Sequence, residues 1–189
     1  MPKELKKKTL KQGDILLAEP FMQDPNFIQA AILLTDYHPT GSIGFILNKP
    51  INMKVNDLLA NFPKIDSDVF FGGPVATDTI HYLHNVGSLF EGSKMVAEGV
   101  YWGGDFDKLK FLVKSELIKP FQIRFYVGYS GWSPDQLEEE LKGGSWVISD
   151  GDANYVFKSN ANGLWKQVMV DKGTIYEIIS EMPDTTNYN

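Results

Sequence analysis

Residues 128–141, GYSGWSPDQLEEEL, constrain the local structure more tightly than any other stretch of this chain. A β-rich run enters a glycine turn, and Ser133 stands where a helix N-cap is needed. Pro134 suits the first helical position, and Gln136 can reach back to the cap as in an S-x-x-Q capping box. Gly143 and Gly144 stop the helix, and SWVIS resumes as a strand. Strand, turn, capped helix and strand follow within about twenty residues, so the chain must alternate the two kinds of element.

The chain has 189 residues, enough for one well-buried core. Apolar residues make up 43% and aromatic ones 13%, which excludes a disordered chain. There is no cysteine, so disulfides, thiolate metal sites and cysteine nucleophiles are excluded together. MPKELKKKTLKQGD is basic but lacks the apolar run of a signal peptide, and no window reaches the roughly 18 apolar residues of a membrane span. The expectation is a soluble, cytoplasmic protein. Net charge is −6, and Arg124 is the single arginine, which argues against direct nucleic-acid binding. Five lysines against Glu4 give residues 1–12 a charge of +4 and leave −10 to the rest. This segment reads as a basic, flexible, solvated tail ahead of a single domain over residues 13–189.

Along that domain, GDILLAEP reads as a strand buried on both faces, and QDPNF as a turn. AAILLTDY and SIGFILNKP read as a buried hairpin joined by HPTG. Asn52 is placed as the cap of a short helix through VNDLLANF, ended by Pro63. DVFFGGP, TIHYLHN and KMVAEGVYWGG supply strands, with Gly72-Gly73-Pro74 as a turn needing positive backbone angles or close strand approach. Asp105 opens the helix FDKLKFLVKSEL, and FQIRFYVGYS is a long strand. DGDANYVFKSNANG is placed in loops and LWKQVMVDKG in a last helix stopped by Gly173. IYEIISEM is left open between strand and helical turn, and the chain trails off after it.

Five blocks, in order, carry a family resemblance. These are GDILLAEPFMQDPNF; DYHPTGSIGFILNKP with Gly44, Asn48 and Pro50; VFFGGPV with YLHN; GYSGWSPDQLEEEL; and the late Leu164-Trp165 with a terminal Pro-Asp. Over nearly all of residues 13–189 the chain resembles the YqgE/AlgH family of small bacterial proteins. The resemblance implies an α+β fold, a single compact domain in which a small barrel-like, bifurcated mixed sheet is surrounded by helices. Some members are linked to transcriptional regulation, and no reaction or cofactor is established for the family. The basic tail is extra here, and Ser133-Pro134-Asp135 stands where Gly-Pro-Gly is more usual.

Catalytic chemistry is hard to find in the residues. GYSGW is not the G-x-S-x-G elbow, because Trp132 occupies the second glycine position and its indole blocks the sharp turn around Ser130. His81 and His84 point to opposite faces of a strand, so they do not make a joint metal site. Glu138, Glu139 and Glu140 lie off the apolar face of their helix and stabilise its start through the dipole. Asn48 ends an apolar strand and is expected to hold the adjoining turn by local backbone bonds. A ligand site is expected only if His38, Asn48, His84 and Gln136 converge. The reading is a non-catalytic module that binds a protein or small molecule, with a regulatory role and without metal or cofactor. Two alternatives stand beside it: a hydrolase using His38 or His84 with a carboxylate, and a scaffold self-associating through Tyr101, Trp102, Tyr129 and Trp132. Partner and oligomeric state are not legible.

Overall fold

The apolar runs become the strands of one sheet in a computed structural model that describes residues 8–173, 176, 178, 179, 181 and 182. In chain order the strands are β1 (Ile15–Ala18), β2 (Ala31–His38), β3 (Gly41–Ile46), β4 (Pro50–Lys54), β5 (Asp68–Phe71), β6 (Val75–His84), β7 (Lys94–Ala97), β8 (Val100–Trp102), β9 (Ile123–Trp132) and β10 (Trp146–Ser149). The helices are α1 (Val55–Leu58), α2 (Phe106–Lys114), α3 (Gln136–Lys142), α4 (Ala153–Phe157) and α5 (Leu164–Asp171). The main path runs β10-β1-β2-β3-β9-β6-β8-β7, with β4 on β5 and β5 on β9.

The sheet bifurcates at β9. One edge pairs with β6, while the other is shared: β3 takes its C-terminal end through Gly44↔Ser130, and β5 takes its N-terminal half through Val69↔Phe125. The β5–β9 pair is parallel and the rest are antiparallel, so the sheet is mixed. It curls without closing into a barrel. Lys94 on β7 meets Asp36 on β2 at 2.7 Å, and Gln12 donates to the carbonyls of Met95 and Val96, but no ladder joins the two end strands.

Strand alternation sorts the side chains into cores on the two faces. On β1, Ile15 and Leu17 pack with Phe45, Leu83, Tyr126 and helix α5, whereas Leu16 and Ala18 pack with Ile32, Trp132 and Leu137. On β9, Ile123 and Phe125 face Leu109, Leu112 and Val113 of α2. Each fully buried Leu or Ile contributes about 1.5–3 kcal/mol, which is why these continuous apolar runs decide the fold. Asp105 caps α2, accepting from the Lys108 amide at 2.7 Å. At the Gly-Gly-Pro turn, Gly73 sits at φ 153°, and a Cβ there would lie 2.2 Å from the Tyr129 carbonyl carbon. Glycine is required by both angle and space.

Four expectations need correction. Asn52 lies inside β4, and the N-cap of α1 is Lys54. That helix stops at Leu58 because Asn56 turns its side chain to the chain beyond: its amide donates to Phe62 and Pro63 and its oxygen accepts from Ile65. Asp135, in the left-handed region at φ 65°, is the N-cap of α3. Gln136 does reach back to the Ser133 amide at 3.0 Å, but the Ser133 hydroxyl donates to Gln136 and leaves the helix amides alone. DGDANYVF contains α4, capped by the Asp152 carboxylate accepting from the Asn154 amide.

The fourth correction concerns the tail, whose residues 8–12 are docked. Leu10 is buried with Leu16 and Trp146, and Lys8 bridges Asp14 at 2.7 Å and Asp150. The other tail lysines at positions 3, 6 and 7 lie outside the described residues, as does the terminal Pro-Asp. Of IYEIISEM, Tyr176, Ile178 and Ile179 are helical, and residues 175, 177 and 180 are likewise outside them.

Candidate functional site

The four polar residues singled out in the sequence do not share a site. His38 is exposed at the end of β2. Asn48 sits at the other end of that strand, where its oxygen accepts from the Ala31 amide at 2.9 Å and its NH2 donates to Gln29 at 2.8 Å. Its bonds are therefore not local to the Asn-Lys-Pro turn. They tie β3 to the segment entering β2, where Gln29 holds a positive φ of 50°.

His84 is fully buried beside Phe90 and stacked on Tyr101, with Nε2 donating to the Gly103 carbonyl at 2.9 Å and Nδ1 without a partner among the described residues. It pairs with Ile123 at the start of β9, whereas the hairpin bearing His38 meets β9 at Trp132, the far end. Gln136 is exposed and bonded to Ser133 and Glu140.

Other reactive groups are committed to structure. Ser130 is fully buried and donates to the Gly72 carbonyl at 3.1 Å. Thr79 and His81 meet at 3.0 Å, but the hydroxyl's one proton goes to the Ala76 carbonyl at 2.7 Å. His81 must then donate to the threonine oxygen and does not act on it as a base. Burial among Phe45, Trp102 and Tyr129 holds the His81 pKa below its ordinary value. Glu140, assigned to a solvated helix face, is instead a clamp. Its Oε2 accepts from the indoles of Trp132 at 2.9 Å and Trp146 at 2.7 Å, and its Oε1 accepts from Gln136.

One cleft combines exposed apolar surface with unsatisfied charge. It encloses about 260 Å³ between the start of β9, the segment entering β5, and the end of α4, and its walls include Phe70, Phe121, Arg124 and Phe157. Pro120–Gln122 form a single helical turn that leaves Phe121 70% exposed at the rim. The Arg124 guanidinium lies 4.8 Å from the centre of the Phe70 ring. Among the described residues its one well-formed hydrogen bond is Nη2 to the Ser159 carbonyl at 3.3 Å, and the buried Nη1 has the Tyr126 hydroxyl as its neighbour without a well-formed bond.

The register explains why no carboxylate among the described residues neutralises Arg124. One step before Val69↔Phe125, Asp68 of β5 stands beside Arg124 of β9. Lys54, across the β4–β5 pair, takes Asp68 at 2.6 Å and Asp66 at 2.8 Å. These two carboxylates raise the pKa of Lys54. Tyr126, next on the same face of β9, stays a neutral phenol, burial pushing its pKa up to about 12 against the charge and the hydrogen bonding of Arg124. A half-buried guanidinium with spare donors thus faces an aromatic-walled cleft.

Sequence reasoning missed this site, using the single arginine only to argue against nucleic acid. One signal was available: a lone arginine at an alternating position of an apolar strand, next to a Pro-Phe turn, is costly to bury without a role.

A family model described as AlgH-like (DUF179) matches residues 15–177. A UPF0301 protein of Chlorobium luteolum is 37% identical over 182 residues, covering 96% of each chain. The UPF0301 protein CT0663 of Chlorobaculum tepidum is 39% identical over 180 residues, covering 95% of this chain and 96% of its own. Two solved structures share the fold. Protein DIP2367 from Corynebacterium diphtheriae has a TM-score of 0.78 at 18% identity, covering 94% of this chain and 95% of its own. The solution structure of AlgH from Pseudomonas aeruginosa has 0.73 at 23% identity, covering 96% of this chain and 100% of its own.

Proposed function

The chain belongs to the AlgH-like family, and for this member we propose a cytosolic, non-catalytic role in which a small ligand bound at the Arg124 cleft regulates contact with a protein partner. The observation that carries the proposal is an arginine without a counter-charge among the described residues, beside a 70% exposed phenylalanine. Arginine and aromatic side chains at the edge of a partly enclosed cavity are the combination that concentrates binding energy. Direct DNA contact is no part of the reading, since the sequence pI is near 5.0 and this arginine is the only one. A hydrolase reading built on His38 or His84 with a carboxylate has little support, because among the described residues neither imidazole bonds a carboxylate. His84 is buried with Nε2 on the Gly103 carbonyl, and the Thr79–His81 pair is polarised the wrong way.

Thermal unfolding against a panel of metabolites tests the proposal. A ligand at about 100 times its Kd adds about 2.7 kcal/mol, a rise of about 5–11 °C at this chain length. The expected result is a shift with at least one compound that Arg124→Met removes. A shift that Arg124→Met leaves unchanged would overturn the cleft as the site, and hydrolytic turnover of a bound compound would overturn the non-catalytic role.

A further inference from the structure

We infer that the Arg124 cleft takes a small carboxylate carrying an aromatic or branched apolar group. This rests on the cleft being the binding site, as proposed above. The polar half of the argument is donor arithmetic. A guanidinium offers five N–H donors in a planar fork suited to a carboxylate. The protein engages it through one long bond to Ser159, with the buried Nη1 turned toward the Tyr126 hydroxyl, which leaves Nε and the second Nη2 proton for a ligand. Its neighbour Asp68 is held by Lys54, together with Asp66. Tyr126 supplies no negative charge. An oxyanion entering the cleft meets a cation whose natural partner has been drawn away.

The apolar half is the wall. Phe70 already stacks on the guanidinium, and Phe121 and Phe157 line the cavity with Ile123. Ligand cavities commonly run from about 300 Å³ upward, so a cleft of about 260 Å³ suits a ligand of one ring or one branched chain. Asp66 and Asp68 also line it, and Lys54 offsets part of their charge. The rest weighs against any anion, more heavily the greater its charge, which favours a monocarboxylate over a multiply charged ligand.

The test is a titration of the 15N-labelled full chain, followed by backbone amide resonances, with 3-phenylpropionate, its neutral amide and inorganic phosphate as probes. The carboxylate is expected to move Phe70, Phe121, Ile123 and Phe157 saturably, with the amide weaker by about tenfold or more. Phe121→Ser, at an exposed position, is expected to weaken the carboxylate without altering the spectrum elsewhere. Lys54→Met frees Asp68 to pair with Arg124, so it is expected to weaken the carboxylate several-fold although the residue does not line this cleft. These two variants carry the test even if Arg124→Met fails to fold.

Amide and carboxylate binding equally would overturn the charge inference and leave the cleft as a binding site. Phosphate binding as tightly as 3-phenylpropionate would overturn the apolar requirement. No movement of the cleft resonances with any of the three would sink the inference, while leaving the broader metabolite panel to judge the cleft.

Discussion

Replacing Glu140 with alanine is expected to destabilise the protein by about 2–5 kcal/mol, far more than an ordinary charged residue on a helix surface. Its Oε2 receives both the Trp132 and Trp146 indole N–H groups, and each tryptophan is only 6% exposed. Removing the carboxylate leaves two donors in a near-dry site, at about 1–3 kcal/mol each. The rings stand edge to face with centroids 6.0 Å apart, so neither turns outward without breaking the contact. Alanine's better helix propensity returns only about 0.5 kcal/mol.

Urea and thermal unfolding followed by tryptophan fluorescence measure the loss, which should appear as a melting point lowered by about 4–20 °C. Glu140→Gln keeps an oxygen that can accept both indoles and should cost about 1 kcal/mol. In the Trp132→Phe background, Glu140→Ala should cost less by about 1–2 kcal/mol, since one stranded donor is already gone. Glutamine as damaging as alanine, or no coupling to Trp132, would refute the clamp.

Three further outcomes are expected. Burial lowers the pKa of His84, so the unfolded chain binds a proton that the folded one refuses, and stability falls as pH drops below about 6.5, by up to about 1.4 kcal/mol per pH unit. His81 acts in the same direction, so His84→Gln should reduce that slope without abolishing it; if urea titrations at pH 5.5 and 7.5 give the variant the same difference in unfolding free energy as the parent, the assignment is refuted. Gly73→Ala should cost more than about 3 kcal/mol, because its methyl collides with the Tyr129 backbone at a disfavoured φ; recovery of a variant with unchanged melting temperature would exclude that collision. Asn48→Ala should cost about 1–3 kcal/mol and speed hydrogen exchange at the Ala31 amide, whereas undiminished protection there would mean the bond is dispensable.

Most strands and α2 were legible because their signal is local: alternation on β9, a continuous run on β1, Asp105 before a stripe of Phe and Leu. What failed was decided by groups distant in sequence or by competing local bonds. VNDLLANF has helical spacing, yet Asn56 spends its side chain on residues 62–65 and the helix ends after one turn. Pro134 and Asp135 are good helix-start residues, but the left-handed Asp135 moves the cap two places along. The Asn and Gly content of residues 150–163 hid α4, although Asp152 is itself a sound N-cap. Arg124 became a candidate site only through the β4–β5–β9 register, which brings Lys54 to Asp68 and so takes the counter-charge away. No spacing rule along the chain encodes that competition.

The sharing of β9 among three neighbours also bears on how the chain is made. Its partners at residues 42–44, 69–71 and 75–84 all leave the ribosome before residue 123 does. Until then the β1–β2–β3 and β6–β8–β7 groups have no strand in common and present open hydrogen-bonding edges to other nascent chains. A single late segment joins them, so cooperative structure should arise in one step after β9 has cleared the exit tunnel. Chains stopped short of residue 123 should be held by chaperones or aggregate, and those extended past α5 should resist protease.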